Sequence, residues 1–189
     1  MSPFEAASAA IDRANGEDPH GREAGYSRRM VDWVRRLAPG ASEELLLAAR
    51  AQHVRRWTVS RASYPDGRGG YLRWREDLKK FHAETLAGMM KEAGYGEPPI
   101  AKARSLLVRK NLAPDGEGQT LEDAACLVFL QFELGEFAAK TEPDKMVDIL
   151  RKTWKKMSEA ARREAVALPL PEDQQALVRR ALENPGDRG

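Results

Sequence analysis

The sequence predicts an all-α protein, a single-domain helical bundle, on three observations. Apolar residues recur at helical spacing along most of the 189 positions, while strand-like alternation is almost absent. Helix start and stop signals follow one another at short intervals, with Ser, Thr or Pro at the starts and Gly or Asn at the stops. Hydrophobic residues make up 42% and charged residues 32%, enough for a core and for well-solvated outer faces.

The first helix is expected over about residues 3–14, stopped by Asn15-Gly16. A polar loop runs to about Gly25. The second helix covers about 26–37, with Met30, Val34 and Leu37 on one face, and ends at Pro39-Gly40. Ser42-Glu43-Glu44 starts a third, extending to about Trp57. Pro65, Gly67, Gly69 and Gly70 mark residues 58–70 as loop, and a long helix follows over about 71–93, broken at Gly94. Pro98-Pro99 opens the next, to about Asn111. After a loop at residues 113–118 comes the most apolar helix, about 121–139. Thr141-Glu142-Pro143-Asp144 caps a helix to about Lys156, Ser158 caps a short one, and Pro171-Glu172-Asp173 starts the last. Residues 1–184 thus read as one helical domain and 185–189 as a disordered tail.

Cys126 is the one cysteine, so an internal disulfide and a cysteine-rich zinc site are excluded. It sits in the run Ala124-Ala125-Cys126-Leu127-Val128-Phe129-Leu130 and reads as a core residue. That run is seven residues long, against roughly 20 for a bilayer span. Met1-Ser2-Pro3-Phe4-Glu5 has neither the basic start nor the apolar stretch of a secretory signal. A cytoplasmic protein with no membrane partner is expected.

The net charge of +2 conceals an asymmetry. Residues 50–110 hold 14 Lys and Arg against 6 Asp and Glu, a charge of +8, whereas residues 111–148 hold 2 against 9, a charge of −7. The basic segment points to an anionic partner. The plainer reading is that the two blocks neutralise one another.

Of the three histidines, His20 lies in the polar stretch Asp18-Pro19-His20-Gly21 and reads as exposed. His53 closes an apolar stretch, and His82 sits mid-helix in Lys79-Lys80-Phe81-His82. A histidine near neutrality serves as metal ligand or acid/base. Asp123 is the last carboxylate before a deeply apolar helix face. It also stands three residues after Thr120, the layout of a capping box. Glu122 points about 100° away from it on a helix. Arg55 and Arg56 follow His53 directly, and guanidinium groups grip phosphate bidentately. Trp57 and Trp74 are candidates to stack on a base or to fill the core. Gly67-Arg68-Gly69-Gly70 lacks the Gly-Lys-Ser/Thr ending of a phosphate-binding loop.

The spacing of these residues resembles the HD-domain superfamily of helical metal-dependent phosphohydrolases, over about residues 26–134. The segment Tyr26-Ser27-Arg28-Arg29-Met30 looks like the first motif. His53-Val54 looks like the His-Asp pair, 27 positions later, and Asp123 like the final aspartate, 70 positions after His53. His82 and Lys110 fall near extra histidines of some members. Tyr26 replaces the first histidine and Val54 the paired aspartate. The resemblance therefore leaves His53 and Asp123 as metal ligands, with phosphates or waters completing the shell of Mn, Mg, Co or Ni.

A second resemblance covers nearly the whole chain. The segments Ala51-Gln52-His53-Val54-Arg55-Arg56-Trp57, Gly70-Tyr71-Leu72-Arg73-Trp74-Arg75, Thr120 to Leu130 and Ile149 to Met157 look like the domain-of-unknown-function family 4202.

Together these readings place His53, His82 and Asp123 in one cleft as catalytic candidates. Tyr26, Arg29, Arg55, Arg56, Lys79, Lys110 and Glu122 are the ligand-binding candidates around it. The expected ligand is a phosphorylated small molecule, a nucleotide, and weak metal-dependent phosphohydrolase activity is left open. The alternatives are a non-catalytic domain binding RNA or tRNA through the basic segment, and a protein-interaction scaffold with a decayed pocket.

Overall fold

The computed structural model describes residues 1–109 and 116–183. All the regular structure among them is helical. Contacts group into two compact units, residues 1–121 and 122–189. Lys110 and the tail at 185–189 lie outside the described residues.

The first unit holds α1 (Pro3–Gly16), α2 (Glu23–Leu37), α3 (Glu43–Arg50), two short 3-10 turns at Arg56–Thr58 and Arg61–Ser63, α4 (Gly67–Glu92) and α5 (Glu97–Val108). α4 packs along α5, α3 packs on α2 and α5, and α1 touches α2, α3 and α4. Ile11, Met30, Val34, Leu45, Leu47, Leu86 and Met90 are fully buried. Each of these removes roughly 1.5–3 kcal/mol worth of apolar surface from water. Ser2 and Glu5 close a reciprocal cap on α1.

α2 begins three residues before the expected start. The Asp18 carboxylate accepts hydrogen bonds from the backbone N–H of Arg22 (2.7 Å) and Glu23 (3.1 Å), satisfying donors that the first helical turn leaves open. Burial by itself raises the Asp18 carboxyl, but these bonds and a third from His20 N–H outweigh it and lower the pKa.

α3 ends at Arg50, not near Trp57. The Arg50 carbonyl is taken by two buried side chains, the Ser27 hydroxyl (2.9 Å) and the Asn15 amide (3.2 Å). The chain then turns through residues 51–55 and enters the left-handed region at Arg55, with φ 52°. α4 begins at Gly67 rather than Tyr71. Gly70 is required there, since a Cβ would fall 1.8 Å from the Pro65 carbonyl oxygen. The Arg61 guanidinium ties the preceding loop by donating to the Tyr64 and Pro65 carbonyls, both at 3.0 Å.

The division between the units falls within α6 (Glu117–Val128). The second unit continues with one π-helical turn (Phe129–Glu133), α7 (Leu134–Ala138), α8 (Pro143–Lys156), α9 (Glu159–Val166) and α10 (Glu172–Glu183), with α10 packed on α8. Leu127, Leu134 and Met146 are fully buried, and so, nearly, is Cys126. The single apolar helix expected over 121–139 is thus interrupted by the π turn. α6 starts early because Glu117 is held by the Lys102 ammonium (2.8 Å) and the Ser42 backbone N–H (3.0 Å). Thr120 consequently lies inside the helix, and the capping box with Asp123 does not form. Nor does Thr141 cap α8: its hydroxyl donates to the Phe137 carbonyl (2.7 Å). No helix among the described residues is long and apolar enough to cross a membrane.

Ser27→Ala removes one of the two donors on the Arg50 carbonyl and is expected to cost about 1 kcal/mol. The double variant Asn15→Ala/Ser27→Ala leaves that carbonyl without either donor and should cost more than the two single changes added together. Urea denaturation of the three variants measures both.

Candidate functional site

Four elements of the first unit converge on His53. The residue lies in the turn after α3, one position before the fully buried Val54. On α2, Glu23 and Tyr26 are three residues apart and share a face. The Tyr26 ring stacks on the His53 imidazole at 3.8 Å between centroids and 7° between planes. Glu23 Oε2 lies 3.2 Å from His53 Nδ1. The left-handed turn at Arg55 folds the chain back, so that Arg56 Nη1 reaches His53 Nε2 at 2.9 Å. From α4, His82 brings its ring to 6.2 Å from that of His53.

Donor chemistry settles the tautomer. A guanidinium only donates, so Nε2 of His53 is the acceptor and the ring proton sits on Nδ1, facing the Glu23 carboxylate. A second proton on the ring would point at Arg56. Burial holds the His53 imidazole well below its ordinary range, and the charges of Arg56, Arg75 and Arg109 push it the same way. Burial raises Glu23 to about 7, with Arg56 opposing the shift and Asp18 reinforcing it. His82 is 5% exposed and is lowered to about 3, first by burial, then by the repulsion that two protonated rings, His82 and His53, would bring, and by the charge of Arg56. Its Nε2 is buried without a hydrogen-bond partner. The Arg56 guanidinium also lies over the Trp74 ring, 5.1 Å from its centroid, and the Trp74 indole N–H donates to the Val59 carbonyl at 3.0 Å.

The remaining candidates are placed as follows. Tyr26 does lie against His53, at the position where the HD-like resemblance expects a histidine. Arg55 is half-exposed and pairs with Glu17 at 3.6 Å. Arg29 is on the exposed face of α2. Lys79 pairs with Glu76 at 3.2 Å. Lys110 is outside the described residues.

Asp123 and Glu122 belong to the second unit. The Asp123 carboxylate accepts from the Ser158 backbone N–H (2.8 Å) and hydroxyl (2.5 Å). Ser158 in turn caps α9 by accepting from Ala161 N–H at 3.2 Å. The role visible for Asp123 is therefore to hold a helix start. Glu122 pairs with Lys156 at 3.6 Å.

The donor set does not fit the expected divalent metal. The lone pair of His53 Nε2 is taken by a guanidinium, so a cation there would meet a positive charge 2.9 Å away. Nδ1 carries the proton, and both Asp123 oxygens are engaged by Ser158. Within either unit, no group of three or more His, Cys, Asp or Glu among the described residues is arranged to hold a metal ion.

The family model described as Domain of unknown function (DUF4202) matches residues 5–178. The chain belongs to this family. No curated protein and no solved structure matches it. The family match takes in every element of the His53 cluster, from Glu23 to Arg109.

Sequence reasoning missed Glu23 and Arg75. The signal for Glu23 was present: Asp18 five residues earlier as a cap would have started α2 early enough to put Glu23 on the Tyr26 face.

The pH dependence of stability has a definite sign. His82, and His53 with it, resists protonation in the folded state, so stability falls as pH drops below 6.5 and, for His82, keeps falling to about 3. Glu23 is raised in the folded state, so it acts in reverse, adding stability as pH falls from about 7 to 4.5. His82→Leu should therefore flatten the acid loss between pH 6.5 and 3, and Glu23→Gln should steepen it between 6.5 and 4.5. Thermal melts across that range measure both. Asp123→Ala should cost about 2–3 kcal/mol by urea denaturation, through loss of a charge-assisted cap.

Proposed function

We propose that the chain binds a phosphorylated small molecule, a nucleotide, at the His53–His82 cluster of the first unit. The observation that carries the reading is a pair of imidazoles 6.2 Å apart, one accepting from the Arg56 guanidinium at 2.9 Å and the other with a buried Nε2 that has no partner; the charges of Arg56, Arg75 and Arg109 lower the pKa of the first. A group of fixed cations that repels protons from a neighbouring ring is a group that attracts an anion. Arginine is suited to phosphate because its planar fork donates in pairs.

His82 adds to the reading. Leaving a buried polar nitrogen unpaired costs about 1–3 kcal/mol, and a ligand donor or a ligand-borne water at His82 Nε2 would recover that energy. Neutral histidine hydrogen-bonds an oxygen-rich ligand without the charge repulsion that two adjacent imidazolium rings would bring. The stacked Tyr26–His53 pair supplies a flat, rigid wall. In this reading His53 is a positioning residue: it links Glu23 to Arg56 and so aims the guanidinium.

The test is calorimetric titration with nucleoside mono-, di- and triphosphates and with inorganic phosphate. Wild type is expected to bind at least one of them. Arg56→Ala and Arg109→Ala should each weaken binding tenfold or more, as loss of a charge-assisted bond to phosphate implies. Lys140→Ala, which removes an exposed cation of the second unit, should leave it unchanged. No binding at millimolar ligand, or binding indifferent to both arginines, would reject the reading. Turnover with Mn²⁺, Mg²⁺, Co²⁺ or Ni²⁺ that is abolished in His53→Ala would replace it with the metal-dependent phosphohydrolase.

A further inference from the structure

α4 is 26 residues long, and its buried residues are unevenly spread along it. Beyond Gly70 at the start, they run from Leu78 through His82, Ala83, Leu86 and Met90. The face that these residues bury continues toward the N-terminus as Lys79, Arg75, Leu72, Tyr71 and Arg68, at steps of three, four and seven positions. There it is open: Arg68 and Arg75 are exposed, Tyr71 is 42% exposed and Leu72 is 53% exposed. One helix face thus passes from core to an outer stripe in which cations alternate with an aromatic ring and a leucine.

The charge on this stripe is uncompensated at its outer end. Between Arg55 and Arg75 six arginines face one carboxylate, Asp66, in sequence, and the first turn of α4 carries no acidic residue. Among the described residues, Arg68 and Arg75 pair with no carboxylate. Arg75 instead lies over the Tyr71 ring at 5.9 Å from its centroid, and Tyr71 tilts against Trp74 at 6.0 Å. Rigid aromatic rings flanked by guanidinium groups offer bases a stacking platform and phosphates a row of donors. From Arg68 to Lys79 the stripe extends about 17 Å along the helix axis, room for a few nucleotides of single strand. Two apolar side chains are too few to anchor a lipid surface, which needs a broad apolar face beside its cations.

We infer that the outer face of α4, formed by Arg68, Tyr71, Leu72, Arg75 and Lys79, binds single-stranded nucleic acid, with a base stacked on Tyr71 and phosphates on the flanking cations. The inference stands apart from the nucleotide reading of the His53 cluster, and Arg75 is the one cation common to both. Recognition is sequence-tolerant, because stacking and phosphate contacts read no base edges.

The test is fluorescence anisotropy of a labelled 12-nucleotide oligo(U) RNA with the full chain. Wild type should bind, and log K should fall with log salt at a slope of about −2, as three phosphate contacts on a single strand imply. Tyr71→Ala should weaken binding about tenfold, and Tyr71→Trp should restore it, since only the ring is needed. Arg68→Glu should weaken it and flatten the salt slope. Both positions are exposed, so these variants should keep wild-type melting temperatures, and Arg68→Glu, which lies outside the His53 cluster, should keep wild-type mononucleotide titrations. RNA binding indifferent to Tyr71→Ala, an absence of RNA binding at low salt, or capture by anionic phospholipid vesicles in place of RNA would each overturn the inference. Failure of mononucleotide binding alone counts against the His53 cluster and leaves the oligonucleotide result intact.

Discussion

The hydrogen bond from Arg56 to His53 Nε2 organises the candidate site. It takes the one lone pair that a neutral imidazole has to offer, sends the ring proton to Nδ1 and so fixes the orientation toward Glu23. It also places a permanent positive charge against the ring, and that charge works with burial to keep the imidazole neutral. The geometry behind the bond is a backbone matter. α3 must stop at Arg50, and the chain must turn through a left-handed residue, Arg55, before Arg56 can double back onto a ring three positions earlier.

That arrangement is why the proposed reading is anion binding and not metal-assisted hydrolysis. A metal-assisted hydrolase needs ligand lone pairs aimed at a cation and carboxylates left open to it. Here the imidazole lone pair is aimed at a guanidinium, and the carboxylate in line for the metal holds the start of α9. In the proposed reading, the fixed cations beside these rings meet the anion directly. Burial pushes the Glu23 carboxyl beside the His53 ring up to about 7.

α4 connects this cluster to the surface. Its C-terminal two-thirds is a core helix of the first unit. Its N-terminal turns carry the same face beyond the core, where Leu and Met give way to Arg and Tyr. Gly70, pressed against the Pro65 carbonyl, and Arg61, laced to the loop carbonyls, set where that extension begins.

Helical periodicity and punctuation made the all-α architecture legible in the sequence, because they act within a few residues: the apolar repeat, Ser42 and Ser158 as caps, Gly94 as a break. The pairing of His53 with Tyr26 was visible only as a resemblance in spacing. Tertiary contacts decided the rest. Ser27 and Asn15 end α3 by claiming a carbonyl 23 and 35 residues away, Lys102 and Ser42 draw α6 back to Glu117, and Ser158 claims Asp123 from 35 residues away. Local sequence sets which backbone states are cheap. Which side chain satisfies a given buried polar group depends on partners that the fold alone brings together, and here that choice made Glu23 a partner of His53 and Asp123 a helix tether.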